Sequence, residues 1–338
     1  VQLGALTIEH PFVLAPMAGI TNSPYRRLMR QEGSAAVVSE LVSANGLEYG
    51  NKKTQELFHF HPSERPVGLQ IFGEHPELLV RACQHVEKLG ADFVDLNLGC
   101  PVRKVVVKGA GCALTREPEK LFPILQAMVA SVKIPVTIKI RTGWDEGSIN
   151  ADEVIDAATK AGVNWVAIHG RTRAQSYEGH ADWELIARLK ENAKIPILGN
   201  GDVTTPEIAV KRYRESKVDA ILIGRGALRN PFIFRQSQQL LREGSYDLPT
   251  KEDYLNLLSS QKRFLSEHPN PRSALLQSQK FIAWYAVGFP HCHSLRRELF
   301  EIKDFDQIWV RALEYFDKYL SERDMSFLSE GFLMGGHG

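Results

Sequence analysis

The first two-thirds of the chain alternates between two hydrophobic rhythms. Short runs rich in apolar and β-branched residues recur at FVLAPMAG (12–19), AAVVSE (35–40), VGLQIFG (67–73), FVDLNLGC (93–100), PVTIKIRTG (135–143), WVAIHG (165–170), IPILGNGD (195–202) and AILIGRG (220–226). Each ends in glycine or polar residues, as expected of a parallel strand buried on both faces. Between them lie stretches of helical period, among them 76–90, 119–132, 151–162 and 206–216. Asn22, Asn150 and Thr204 or Thr205 stand where helix caps are expected, and Gly33, Gly90 and Gly162 where helices stop. Eight strand–helix units in about 240 residues predict an α/β fold, a (β/α)8 TIM barrel. A doubly wound sheet is the alternative, but it wants a glycine-rich loop after the first strand, where PMAG has one glycine.

After Gly244 the rhythm becomes helical throughout. SYDLPTKED reads as a linker, and amphipathic helices are expected over 251–267, 272–287, 292–302 and 305–322, broken at HPNP and GFPH. The expected organisation is a catalytic barrel over 1–244, a C-terminal all-helical domain over 250–323 and a flexible tail over 324–338.

Composition narrows the class. With 43% apolar and 24% charged residues the chain is globular rather than disordered or fibrous. Lys and Arg total 41 against 40 Asp and Glu, so a nucleic-acid partner would have to be met by a local patch. No apolar run approaches the ~18 residues of a membrane span, and VQLGALTIEHPF lacks the pattern of a signal peptide. Four cysteines without a CxxC pair point to a reducing compartment, hence the cytoplasm. Neither a metal site, a membrane nor a protein partner is expected.

In such a barrel, ligands sit where the strands end. Lys139 lies among apolar neighbours in VTIKIR, where an unpartnered charge is costly, so it should face an anion or polarised group unless a carboxylate pairs with it. GNGD (199–202) and IGRGAL (223–228) put glycines after strands seven and eight, the usual phosphate site, with Arg225 adding charge. Asp202 would offer its amide there while its side chain caps the helix from Thr204. A phosphate at that place, with Lys139 and Gln70 across the mouth, fits FMN; sugar-phosphate isomerases share the loops. Cys100 ends strand four among Asn97, Lys104 and Lys108, a setting for proton transfer or nucleophilic attack. Cys83, Cys112 and Cys292 read as packing residues.

Taken together, APMAGITNSPYR (15–26), QIFG (70–73), DLNLGCPVRKV (95–105), IKIRTGW (138–144), HGRTRAQSYEGHADW (169–183), GNGDV (199–203) and GRGAL (224–228) resemble the tRNA-dihydrouridine synthase family, over nearly the whole chain. KFIAWY (280–285) and SLRREL (294–299) are closest to its bacterial B branch. The resemblance implies an FMN barrel that reduces the C5–C6 bond of uridine in tRNA, with NADPH as electron donor and the helical domain helping to hold the RNA. It implies that Pro16, Met17 and Ala18 line the flavin, Gln70 pairs with its edge, Lys139 stabilises the reduced ring and His169 lies near it. Asn200, Gly201, Asp202, Gly224 and Arg225 would hold the phosphate. Hydride would pass from flavin N5 to C6, and Cys100 would deliver the proton to C5. Asn97, Lys104, Arg141, Arg171 and Arg173 would meet the uracil and neighbouring phosphates, part of a basic rim with Arg103 and Lys108. Val107 and Cys112 depart from the family pattern. A flavin barrel for a free small molecule leaves the helical domain and arginine rim without a role. A retired RNA-binding barrel leaves Gln70, Cys100, Lys139 and His169 without one.

Overall fold

A computed structural model describes residues 1–48, 50 and 52–324; the tail expectation for 325–338 lies outside them. Eight parallel strands close into a barrel: Phe12–Leu14, Val37–Ser43, Val67–Phe72, Phe93–Leu98, Val136–Arg141, Val166–His169, Ile197–Asn200 and Ala220–Ile223. Neighbours follow chain order, and the eighth strand closes on the first through Ile221–Phe12 and Ile223–Leu14. All eight expected strands are present. The second runs past its expected end to Ser43, with a register shift between Val38 and Leu41.

The strands are apolar on consecutive positions because they face two different cores. Inward residues Val13, Val38, Phe93, Ala167, Leu198 and Leu222 pack with Leu3 and Trp165 inside the barrel. A short N-terminal ribbon, Gln2–Leu3 with Leu6–Thr7, contributes Leu3 to this plug. Gly68 is required here, since a Cβ at that position would lie 2.0 Å from the Phe93 ring. Outward residues such as Leu14, Val37, Ile71, Leu96 and Ile138 join the surrounding helices in a second, larger cluster.

The four C-terminal helices, Lys251–Ser266, Pro271–Tyr285, Cys292–Glu301 and Phe305–Tyr319, fall within a few residues of their expected bounds. Their buried Tyr254, Phe281, Trp309 and Phe316 belong to the same apolar cluster as the barrel's outer face. Helix Ser23–Gln31 carries much of this junction: Tyr25 stacks on Phe281 at 4.8 Å, and Arg27 lies 4.0 Å from the Phe264 ring centroid. Tyr285 is buried in that core and Trp284 packs partly buried against it. Helix Ile233–Glu243, not foreseen, fills the place after strand eight and ends on Gly244 in the left-handed region. Its apolar Ile233, Phe234, Leu240 and Leu241 fall on one helical face, a period the sequence carries. Among the described residues no helix is long and apolar enough to cross a membrane.

Candidate active site

Residues from all eight strand ends line one cavity of about 780 Å³ at the barrel mouth. Of the expected site residues, Pro16, Met17, Ala18, Gln70, Asn97, Cys100, Lys139, Arg141, His169, Arg171, Asn200, Gly201, Asp202, Gly224 and Arg225 share it. Lys104 and Arg173 are not among its lining residues.

The wall from strands three to five is a chain of side-chain hydrogen bonds. Thr137 Oγ1 donates to Asp95 Oδ1 at 2.6 Å, and Gln70 Nε2 donates to Asp95 Oδ2 at 2.7 Å. Gln70 Oε1 accepts from Asn97 Nδ2 at 2.9 Å, which fixes which way both amides face. Asn97 Oδ1 in turn accepts from the Gly99 and Cys100 amides at 3.2 and 2.9 Å, and so sets the loop that carries the thiol. Burial pushes the Asp95 carboxyl up, against the bonds from Gln70 and Thr137. Asp95 was not foreseen as a site residue. It lies in FVDLNL among apolar neighbours, the same signal that marked Lys139.

Lys139 makes no hydrogen bond or ion pair among the described residues, and no carboxylate lies within salt-bridge distance. Burial, then the adjacent Arg141, lowers it from 10.5 to about 8, partly offset by Asp95. It is a cation held ready for an anionic or polarised partner.

Cys100 is half-buried, and burial pushes its thiol up despite Arg141 and Lys139 nearby. Lys104 and Lys108 are its basic neighbours in the sequence. Both lie exposed in and beyond the short helix Arg103–Val106, where water screens them, and the cations that reach the thiol are Arg141 and Lys139. Cys112 is buried, its thiol pushed up to about 12 by desolvation, in keeping with a packing role.

The wall from strands six to eight is built on charge. Arg171, 2% exposed, donates from Nη2 to both Asp202 oxygens at 2.8 and 2.9 Å and to the Gly179 carbonyl at 2.7 Å. Its Nε donates to the Glu178 carbonyl at 3.1 Å, and its Nη1 lies 3.1 Å from His169 Nε2. Two expectations are corrected here. Arg171 is an internal strut rather than part of an RNA-facing rim, because nearly all its donors are committed inside the protein. Asp202 does not cap the following helix, since the buried guanidinium claims its carboxylate; helix Pro206–Ser216 is capped by Thr205.

The segment Ala181–Trp183 clamps this wall. The Ala181 amide donates to Asp202 Oδ2 at 2.7 Å, and Trp183 Nε1 donates to the Gly201 carbonyl at 2.9 Å. Gly199 leaves room for the indole, for its Cβ would lie 2.4 Å from the Trp183 ring. This local chemistry ties the ADW motif to GNGD. The amides of Gly201, Val203, Thr204 and Gly224 donate to no protein acceptor among the described residues, although Gly201 and Val203 are buried. Such N–H groups, with Arg225 alongside, suit a phosphate.

Arg141 is also buried, its Nε bonded to the Gly99 carbonyl at 2.9 Å and its Nη1 to Thr172 and Ser176 carbonyls at 2.9 and 2.6 Å. Its Nη2 has no protein acceptor among the described residues, so it can still serve a ligand in the cavity that Arg141 lines. Tyr177, not foreseen, lies between Arg141 and Arg225, 5.4 and 5.0 Å from their guanidiniums. Arg173 stacks on Trp144 at 4.6 Å, beside Arg116 at the same distance from that ring. Asn150 does not cap its helix with its side chain; Nδ2 instead donates to the Thr115 carbonyl at 2.7 Å.

Residues 13–320 match the family model described as Dihydrouridine synthase (Dus). tRNA-dihydrouridine synthase B of Pseudomonas aeruginosa is 37% identical over 321 residues, 94% of this chain and 96% of the relative. That of Vibrio cholerae is 36% identical over 327 residues, 95% of this chain and 100% of the relative. Among solved structures, histamine dehydrogenase from Rhizobium sp. 4-9 aligns with a TM-score of 0.60 at 12% identity, over 96% of this chain and 64% of that one. A 2-naphthoyl-CoA reductase complex aligns at 0.57 and 14%, over 71% of this chain and 51% of that one. At such identities the likeness speaks for the fold alone, and this chain spans about half to two-thirds of those structures.

Proposed function

The chain belongs to the dihydrouridine synthase family, and from that premise we propose that it reduces uridine in tRNA to dihydrouridine with FMN in the barrel mouth and electrons from NADPH. The observation that carries the cofactor is the pairing, among the described residues, of loop amides without a protein acceptor on one wall with a half-buried lysine without an ion-pair partner on the other. A cavity of about 780 Å³ has room for such a group. The residues present fit it. Gly201, Val203, Thr204 and Gly224 amides with Arg225 would hold the phosphate, and Asn200 keeps the loop by donating to the Leu222 carbonyl at 2.9 Å. Pro16, Met17 and Ala18 would cover the ring. Gln70 still has one Nε2 proton and one Oε1 lone pair for its edge.

A bound flavin supplies the hydride that C6 of uracil receives. The protein's share is to place the base, to hold charge and to provide a proton. Lys139 offers a cation at the cavity floor, and Arg141 Nη2 and Asn97 face the space a uracil would enter. Cys100 holds its proton because burial outweighs its cationic neighbours, and we assign it as the acid that protonates C5. A uridine must leave its stack to reach a barrel mouth. Exposed Arg103, Lys104 and Lys108, with Arg173 on Trp144, would meet the flanking phosphates, and the helical segment 250–323 would hold the rest of the tRNA. The working compartment on this reading is the cytoplasm, with no membrane involved.

The test is purified protein with unmodified tRNA transcript, NADPH or NADH, and added FMN. Flavin absorbance that stays with the protein and dihydrouridine in the tRNA, but none from free uridine, are the expected results. A protein that takes up no flavin, or that reduces free uridine as readily as tRNA, would overturn the reading.

A further inference from the structure

His169 sits on the cavity wall with two ring nitrogens in different situations. Nε2 lies 3.1 Å from Arg171 Nη1. A guanidinium only donates, so Nε2 must offer its lone pair there. Nδ1 meets no protein acceptor among the described residues, and the ring lines the cavity. Arg171 has little freedom to do otherwise: Asp202, the Glu178 carbonyl and the Gly179 carbonyl hold its other donors. We propose that Arg171 is a positioning residue that locks His169 as the neutral Nδ1–H tautomer, so that the ring presents one hydrogen-bond donor to a carbonyl-type acceptor in the cavity. The identity of that acceptor, an edge oxygen of the flavin ring, rests on the function proposed above; the tautomer does not.

The surrounding charges work in the same direction. Lys139 and Arg141 from strand five, Arg171 after strand six and Arg225 after strand eight all face the ring, with Tyr177 6.3 Å away and Asp202 beyond Arg171. Burial first, and then these four cations, hold the imidazole well below its ordinary 6.5. A second positive charge inside this cluster is disfavoured, so His169 serves as a fixed donor and not as an acid that titrates near neutrality. On this reading His169 is not the group that delivers the proton to C5.

Two measurements test this. In holoprotein labelled with 15N at histidine, two-bond 1H–15N correlations report each ring's tautomer, and His169→Asn identifies the signal. The expected pattern for His169 is a protonated Nδ1 and a bare Nε2 from about pH 5.5 to pH 8.5, while exposed histidines titrate. Arg171→Met, or Arg171→Met with Asp202→Asn if the single change does not fold, should release the lock and bring up the Nε2–H form or a titration. Independently, FMN affinity separates two replacements: Asn places an N–H where Nδ1 lies, and Gln places one where Nε2 lies. His169→Asn should stay within a few-fold of the unchanged protein, and His169→Gln should bind roughly tenfold more weakly, the scale of one hydrogen bond. A protonated Nε2 in the unchanged protein, a tautomer indifferent to Arg171, or Gln binding as well as Asn each overturns the proposal. Failure to take up flavin would remove the acceptor and the proposed function, but the tautomer would still be read from the spectra.

Discussion

The two walls of the cavity use opposite means to stay buried. From strands three to five, Thr137, Asp95, Gln70 and Asn97 hand hydrogen bonds along a side-chain relay that ends at the Cys100 amide, with Lys139 beside it making no ion pair among the described residues. From strands six to eight, buried Arg171 pairs with half-buried Asp202, and its remaining donors end on carbonyls and on His169. Burial pushes thiol and carboxyl up and the lysine down on the first wall, so its titratable groups lie toward their neutral forms. On the second wall Asp202 fixes Arg171, and Arg225 adds a further positive charge. A site built this way can pass a proton from one side and hold an anion on the other.

The largest expected effect comes from removing the proton. Cys100→Ala should lose about 10²–10⁴-fold in single-turnover uridine reduction, roughly 3–5 kcal/mol of transition-state stabilisation. It should keep its flavin and its oxidation of NADPH, since neither needs the thiol. Cys112→Ala should run near the unchanged rate; if it is the inactive variant, the acid has been assigned to the wrong cysteine.

Next is the ion pair of the opposite wall. Arg171→Met leaves Asp202 without its partner and should cost about 3 kcal/mol in denaturant unfolding. That is the low end for a broken buried pair, because Asp202 keeps 29% exposure. Adding Asp202→Asn should recover part of the loss, and no recovery would mean that the pair is not what stabilises this wall.

Lys139 offers a contrast in sign. In the folded protein burial and Arg141 hold it at about 8, against 10.5 when unperturbed. Between these values the unfolded chain binds more protons, so stability rises with pH; below about 8 both states are charged and the folded one carries the full desolvation cost. Lys139→Met should therefore flatten that rise and make the flavin-free protein about 2–3 kcal/mol more stable near pH 7, while weakening its hold on FMN. Midpoints measured near pH 7 and pH 10 decide it, and an unchanged slope in the variant contradicts the assignment.

The smallest effect concerns the hydrogen-bonded chain. Asn97→Ala removes the acceptor for the Cys100 and Gly99 amides and the donor to Gln70, and should cost about 1–2 kcal/mol in thermal or denaturant unfolding. A neutral outcome would show that the Cys100 loop is held by other contacts, such as the bond from Arg141 Nε to the Gly99 carbonyl.

This contrast also marks what could be read from the chain alone. Strand positions were legible because apolar runs buried on both faces leave a dense, unmistakable signal, and the C-terminal helices because their stops are Pro and Gly. Lys139 and Cys100 stood out as polar residues where apolar ones were due. Partnerships between distant strand ends were not legible. Asp202 carries the same letters whether it caps a helix or pairs with Arg171, and only the closed barrel brings the loops after strands six and seven together. Arg171 and Arg141 look like rim residues in a run of basic letters, yet carbonyls of the segment 172–179 draw them inside. Asp95 was passed over for a lysine two strand positions before the same mouth, although both break an apolar run.

The central claim is that burial, not nearby lysines, sets the protonation of Cys100. Its alkylation rate against pH, followed by mass spectrometry on the peptide that carries it, measures this directly. The account predicts an apparent pKa above the ordinary ~8.5 of a free thiol, unchanged when Lys104 and Lys108 are both replaced by Gln. A value below the ordinary one, or one that rises when those two lysines are removed, would contradict it.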